Sequence, residues 1–118
     1  MALKITAAEV DGITVVLLEG HIVLGEETSA LWEKVKSLIA AGNKKLVLNM
    51  NNVTPIDSSG LGVLVAAYST AKSSGASPRL CNLGSRFNEL LQITKLVTIF
   101  VVSGTEVEAV AASRSNVP

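Results

Sequence analysis

The stretch Thr54-Pro55-Ile56-Asp57-Ser58-Ser59-Gly60-Leu61-Gly62 joins an apolar run to a segment with helical periodicity. The preceding run, residues 45–49, is short and rich in Leu and Val, which is typical of a strand covered by helices. The following segment repeats apolar residues at i, i+3, i+4 and i+7, namely Leu61, Leu64, Val65 and Tyr68. The stretch therefore predicts a strand, a turn of small polar residues and a buried helix, which is the basic unit of an α/β fold.

The turn places a serine hydroxyl at the start of a helix. Asp57, Ser58 and Ser59 are residue types preferred at a helix N-cap, where a side-chain oxygen accepts a free N–H of the first turn. The same N–H groups and the helix dipole favour an anion, so a phosphoserine would be accommodated there. The alternative is that the serines only cap the helix.

The N-terminal half predicts two strands and a helix. Residues 3–10 and 13–19 flank Asp11-Gly12, a strong hairpin signal, and Gly20 ends the second strand. A helix then begins near Glu26 and ends before Gly42, the expected C′ residue. Its predicted buried side consists of Thr28, Leu31, Trp32, Val35, Leu38 and Ile39.

The C-terminal half continues the alternation of helix and strand. The helix after the serines runs to about residue 74 and has a face of small residues, either packed closely against a neighbouring element or open to a partner: Gly62, Ala66, Ser69 and Ser73. A strand over 80–83 precedes a short helix with Phe87, Leu90 and Leu91 facing inward, and 96–102 form the last strand. The spacing of Thr105 and Glu108 predicts a capped final helix with Val107 and Val110 on its apolar side.

The predicted order β-β-α-β-α-β-α-β-α indicates a mixed sheet, parallel except for its N-terminal strand, with about four helices. We expect one domain over residues 1–118, ordered from about 3 to 112, with 113–118 as a flexible polar tail.

Composition argues against several classes of function. Ten basic and ten acidic residues give a net charge of zero, and no basic cluster supports direct binding to nucleic acid or an anionic membrane. No apolar run is long enough to span a membrane and no signal pattern opens the chain, so we expect a cytoplasmic protein without membrane insertion. Cys81 is the single cysteine and we expect it to be a small buried hydrophobic residue.

The sequence also gives no support for an enzyme. The nucleophile elbow G-x-S-x-G is absent, because Ile56 occupies the position of its first glycine. One histidine, His21, and one cysteine offer no metal-ligand spacing, and no P-loop or dinucleotide fingerprint is present. We therefore expect no catalytic residue, metal or cofactor, and any kinase that modifies a serine must be a separate protein.

The hexapeptide Asp57-Ser58-Ser59-Gly60-Leu61-Gly62, after an apolar strand and before a helix of small residues, resembles the signature of the STAS domain of bacterial anti-sigma factor antagonists. The resemblance extends from about residue 5 to residue 112. It implies a STAS-type sheet and phosphorylation of Ser58 by an anti-sigma factor that is itself a serine kinase, reversed by a serine phosphatase. It further implies that the unphosphorylated form binds the anti-sigma factor, frees the sigma factor and regulates transcription.

The resemblance also implies a partner-binding surface formed by Asp57 and residues 59–62. The family commonly has an aspartate shortly after the glycine that ends the second strand, on the same surface. Here Gly20 is followed by His21, Ile22 and Val23, so Val23 replaces the usual aspartate. His21 and Val23 are therefore the candidate partner-binding residues at this strand end, and the loss of the aspartate leaves the choice of partner open.

Two other functions remain open from the sequence. The chain could be a constitutive interaction module, for example a regulatory subunit of a transporter, as other STAS proteins are. It could also bind a nucleotide or a lipid directly. In each case we expect a monomer or at most a weak dimer.

Overall fold

The computed structural model describes residues 4–22, 26–56, 58–95 and 99–114. Five strands and four helices alternate in these ranges in the predicted order. Their bounds are β1 Lys4–Val10, β2 Ile13–Ile22, α1 Glu26–Ala40, β3 Lys45–Ile56, α2 Ser58–Ser73, β4 Ser77–Cys81, α3 Ser85–Thr94, β5 Val102–Ser103 and α4 Glu106–Arg114. The predicted fold class is therefore confirmed.

The strands form one sheet in the order β1-β2-β3-β4-β5. Only β1 is antiparallel to its neighbour, and it is joined to β2 by the predicted hairpin, in which Asp11 and Gly12 have φ of 52° and 80°. Glycine and aspartate adopt such left-handed angles at low cost, which fixes the turn. The strands β2 to β5 are parallel, and helices α1, α2 and α3 connect them.

Two apolar clusters cover the two faces of the sheet, as the alternation of side chains along a strand requires. The larger cluster joins Val16 and Leu18 of β2 and Leu46 and Leu48 of β3 to helices α1, α2 and α3. The smaller cluster holds α4 on the opposite face and consists of Ile13, Val15, Val47, Cys81, Ala109 and Val110. Cys81 is fully buried, which confirms its predicted role as a small core residue.

Strands β2 and β3 are both longer than predicted. Gly20 does not end β2, because it adopts φ of 115° and lets the strand continue to Ile22. Strand β3 runs past Asn49 to Ile56 and carries one extra residue at each of two register shifts against β2. Pairing with β4 ends at Asn49, so among the described residues the rest of β3 pairs only with β2, and Pro55 is tolerated at this edge.

The last strand is much shorter than predicted. It consists of Val102–Ser103, residues 96–98 lie outside the described residues, and Ile99 and Phe100 lie in a turn and a bend. The backbone N–H of Val101 donates to the hydroxyl of Tyr68 at 2.7 Å, so this amide bonds to a side chain of α2. A tertiary contact has replaced strand pairing for this N–H, while the Val101 carbonyl still accepts the Leu80 N–H of β4 at 2.9 Å.

Helix α4 buries Val110 against the sheet, as predicted, but not Val107. Ala109, Val110 and Ser113 are buried, whereas Val107 is 79% exposed. Val107 lies two positions before Ala109, about 200° around the helix, so both cannot face the sheet. Ser113 and Arg114 belong to this helix, although the sequence placed them in a polar tail. The predicted cap is confirmed, because the N–H of Glu108 donates to Thr105 Oγ1 at 3.2 Å.

Candidate functional site

The candidate site lies where β3 ends and α2 begins. Strand β3 ends at Ile56, and α2 starts at Ser58, so a single residue, Asp57, separates the two elements. Asp57 lies outside the described residues, and for Ser58, Ser59 and Gly60 the description covers the helical backbone and not the side chains. The structure thus places Ser58 at the first position of a helix of 16 residues.

The end of β2 lies beside this turn. Ile22 of β2 is paired with Ile56 of β3, and the two strands are parallel, so both end at the same edge of the sheet. His21 therefore belongs to the strand end next to the start of α2, although its side chain is not described. Val23, the other residue that the sequence assigned to this surface, lies outside the described residues. The extension of β2 beyond Gly20 creates this juxtaposition.

Helix α2 is fixed to the core by its apolar side. Leu61, Leu64 and Tyr68 are each at most 2% exposed, as the periodicity predicted. The Tyr68 ring also contacts Phe100 edge-on, with ring centroids 4.8 Å apart and an interplanar angle of 80°. Leu61, which the resemblance assigned to the partner-binding surface, is a buried core residue.

The opposite side of α2 is open and carries small side chains. We call Gly62, Ala66, Ser69 and Ser73 the outer face of α2; all four are exposed. A Cβ atom built on Gly62 would meet no atom within 4 Å. The sequence left two interpretations of these residues, and the structure excludes close packing against another element of the described chain. A surface with so little relief lets the backbone of a partner approach closely.

Within α2 itself, no charged residue opposes an anion at the helix start. Its first turn contains no acidic residue, and Lys72 lies in its last turn, where a cation is favourable. Burial raises the pKa of the Tyr68 phenol above its ordinary value of 10.0, so this side chain adds no negative charge to α2 at physiological pH.

Among the described residues no group of His, Cys, Asp and Glu could hold a metal ion. None of the described helices is both long enough and apolar enough to cross a membrane.

One polar network was missed by the sequence analysis. Asn49 is 7% exposed in the middle of β3, and its Nδ2 donates to Glu106 Oε1 at 2.9 Å. Its Oδ1 accepts the Asn51 N–H at 2.9 Å and Asn82 Nδ2 at 3.2 Å. The bond to Glu106 ties α4 to the sheet on the face away from α2, and the other two bonds hold the Asn49 amide in place. The signal in the sequence is an asparagine within an apolar strand, since a buried amide requires partners.

Comparison with known proteins supports the same family over nearly the whole chain. The STAS domain family model matches residues 4–109. A proposed anti-sigma factor antagonist of Bordetella bronchiseptica, BtrV, is 24% identical over 116 residues, covering 98% of this chain and 99% of BtrV.

Two solved proteins share the fold. A proposed anti-sigma factor antagonist of Thermotoga maritima is 24% identical with a TM-score of 0.83, covering 93% of this chain and 94% of its own. SpoIIAA of Bacillus has been solved in unphosphorylated and phosphorylated forms, at 18% and 19% identity and a TM-score of 0.69 for each. The matches cover 96% of this chain and 98% and 100% of the two SpoIIAA chains. From strand order, helix start and family match together, the chain belongs to the STAS domain family.

Proposed function

We propose that this chain is an anti-sigma factor antagonist that binds an anti-sigma factor serine kinase and is released when Ser58 is phosphorylated. The observation that carries the proposal is the position of Ser58 at the start of α2, next to an exposed face of small residues. The family match and the names of the relatives support the role, and SpoIIAA has been solved in a phosphorylated form.

The surface available to the anti-sigma factor consists of three neighbouring parts. They are the first turn of α2 with Ser58, Ser59 and Gly60, the outer face of α2, and the end of β2 at His21. Because β2 and β3 pair in parallel up to Ile22 and Ile56, the end of β2 lies beside the first turn of α2. We assign Asp57 and Val23 to the same surface, because each adjoins one of these strand ends. A protein that docks here covers the hydroxyl of Ser58.

The chemistry of modification is supplied by the kinase. The Ser58 hydroxyl oxygen attacks the γ-phosphoryl group of ATP, the bond to ADP breaks, and the hydroxyl proton passes to a base of the kinase. This chain contributes the acceptor and its presentation, and a serine phosphatase restores the hydroxyl by hydrolysis. In this proposal the chain has no catalytic role.

The modified serine opposes binding through charge. A phosphoryl group adds about −1.5 to −2 charges and three hydrated oxygens in the middle of the contact. Like charges facing each other across an interface, and the desolvation of the phosphoryl group, cost several kcal/mol. Since about 1.4 kcal/mol corresponds to a tenfold change in affinity, a cost of about 3 kcal/mol weakens binding on the order of a hundredfold. Stabilisation of α2 by the same charge is only about 0.3–1 kcal/mol, so release dominates.

Binding titrations test the proposal. The candidate anti-sigma kinase is titrated with the unmodified chain, the phosphorylated chain and the Ser58→Ala variant. We expect equal affinities for the unmodified chain and Ser58→Ala, and binding weaker on the order of a hundredfold after phosphorylation. Ser59→Ala is the matched control and should still accept phosphate, mapped to Ser58 in the modified peptide.

Two results contradict the proposal. If Ser58→Ala is phosphorylated as well as the parent chain, Ser58 is not the acceptor. If all three forms bind the kinase equally, the phosphoryl group does not control binding, and a constitutive interaction module becomes the better explanation.

A further inference from the structure

Strand β1 is an exposed edge strand with few of the features that normally prevent pairing. It lies at one edge of the sheet, with β2 as its neighbour on the other side. It contains no proline, and its pairing with β2 has no register shift. Six of its seven residues are exposed and the seventh, Ile5, is half-buried. Its four central residues, Ile5 to Ala8, are uncharged, whereas protected edges usually carry central charges, prolines or bulges.

The hairpin register shows which backbone groups of β1 are available. Val10 and Ile13 flank the two-residue turn and form a hydrogen-bonded pair, and such pairs alternate along the ladder. The N–H and C=O groups of Val10, Ala8, Thr6 and Lys4 therefore point towards β2. Those of Ile5, Ala7 and Glu9 point away from the sheet, and no strand pairs with them among the described residues.

This pattern is self-complementary about Ala7. A two-fold axis perpendicular to the sheet pairs β1 with an antiparallel β1 of a second copy and keeps each side chain on its own face. With the axis at Ala7 all seven residues are paired: Ala7 is opposite Ala7, Ile5 opposite Glu9, Thr6 opposite Ala8 and Lys4 opposite Val10. The outward groups of Ile5, Ala7 and Glu9 then form about six hydrogen bonds between the copies. No like charges are directly opposite, and the small alanines meet at the centre.

Charge complementarity strengthens this arrangement. Val10 lines a groove of about 190 Å³ between the hairpin and α4, together with Asp11 and Glu106. Lys4 is six residues from Val10, so it lies on the same face of β1. In the paired arrangement Lys4 of the second copy lies beside Val10, at the mouth of a groove whose charged lining residues are Asp11, Glu106 and Arg114. Arg114 pairs with Asp11 at 3.0 Å, so Glu106 supplies the remaining negative charge of the groove.

We propose that two copies of this chain associate through β1, forming a continuous ten-stranded sheet across a two-fold axis at Ala7. The contact consists mainly of one strand and is smaller than a standard interface, so the dimer is weak, with a dissociation constant on the order of 10 μM to 1 mM. This inference does not depend on Ser58, whose helix begins at the carboxyl end of β3.

Sedimentation and amide hydrogen exchange of the intact chain test the proposal together. We expect the mass to rise towards that of a dimer between about 1 μM and 1 mM. Over the same range the amides of Ile5, Ala7 and Glu9 should become protected, while those of Thr6 and Ala8 are protected at every concentration. A monomer at about 1 mM overturns the proposal. So does a dimer in which those three amides exchange freely, since another surface then forms the contact.

Paired charge variants at the axis give an independent test. Ala7 is exposed, so Ala7→Lys and Ala7→Glu should both fold normally. Each variant alone should have a dimer dissociation constant about fivefold higher than the parent chain, because like charges meet across the axis. In an equimolar mixture Lys faces Glu across the axis, so the affinity should return to that of the parent chain. Lys72→Glu, on α2, is the matched control and should leave the association unchanged. Equal dimerisation by the separate and mixed variants overturns the two-fold at Ala7.

Discussion

Replacing Tyr68 with phenylalanine isolates one hydrogen bond that supports the helix of the candidate site. Tyr68 is 1% exposed in α2, and its hydroxyl accepts the N–H of Val101 at 2.7 Å. The phenylalanine ring can occupy the same space and keep the edge-on contact with Phe100. The substitution therefore removes the acceptor and leaves the packing of α2 intact.

The expected loss of stability in Tyr68→Phe comes from the Val101 N–H, which is left without its acceptor. Removing one partner of a buried hydrogen bond leaves the other unsatisfied, at a cost of about 1–3 kcal/mol. Val101 is half-buried, so water can partly replace the hydroxyl and the lower part of that range applies. We expect Tyr68→Phe to lower the free energy of unfolding by about 1–2 kcal/mol, and the melting temperature by roughly 3–10 °C for a chain of this size.

Urea unfolding measures the change in stability, and hydrogen exchange at the Val101 amide shows whether the loss arises at the expected bond. The Val101 amide should exchange on the order of tenfold faster in the variant, while amides of β2 and β3 change only with global stability. Ser69→Ala, on the outer face of α2, is the matched control and should stay within about 0.5 kcal/mol of the parent. A Tyr68→Phe variant as stable as the parent, with unchanged exchange at Val101, would refute the reasoning.

Three further predictions concern α2, α4 and the core. Ser58→Asp should melt within a few degrees of the parent, because a negative charge at the start of α2 is worth about 0.3–1 kcal/mol in favour of the helix; a large loss would mean that Ser58 is a structural core residue. Thr105→Ala should destabilise the chain by about 1 kcal/mol in urea unfolding, since it removes the acceptor of the Glu108 N–H, and Thr105→Ser should restore most of the loss. Burial, with a smaller effect of Glu106, raises the pKa of Cys81 from 9.0 to about 11, so the folded state holds the thiol proton more tightly than the unfolded state. Stability should therefore fall between pH 9 and 11 more steeply in the parent than in Cys81→Ala, and equal slopes in alkaline unfolding would contradict the prediction.

Short-range features of the fold were predictable from the sequence. The Asp11-Gly12 hairpin, the helix ends before Gly42 and Gly75, and the buried side of α2 are all as predicted. Each depends on interactions within a few residues, such as the low cost of a positive φ for glycine or the helical period of apolar side chains. The position of Ser58 at a helix start was predictable for the same reason, because capping preferences act locally.

The tertiary structure decided features whose energy comes from residues distant in the sequence. Strand β2 continues past Gly20 because β3 offers a partner as far as Ile56, and only this extension brings His21 beside the start of α2. Val107 is exposed and Asn49 is buried because of the way α4 packs on the sheet, where Asn49 donates a hydrogen bond to Glu106. Phe100 lies in a bend and not in a strand, next to an amide that is bonded to Tyr68 in α2. Strand length, helix orientation and the exposure of the outer face of α2 are thus set by contacts between elements, which local propensity does not encode.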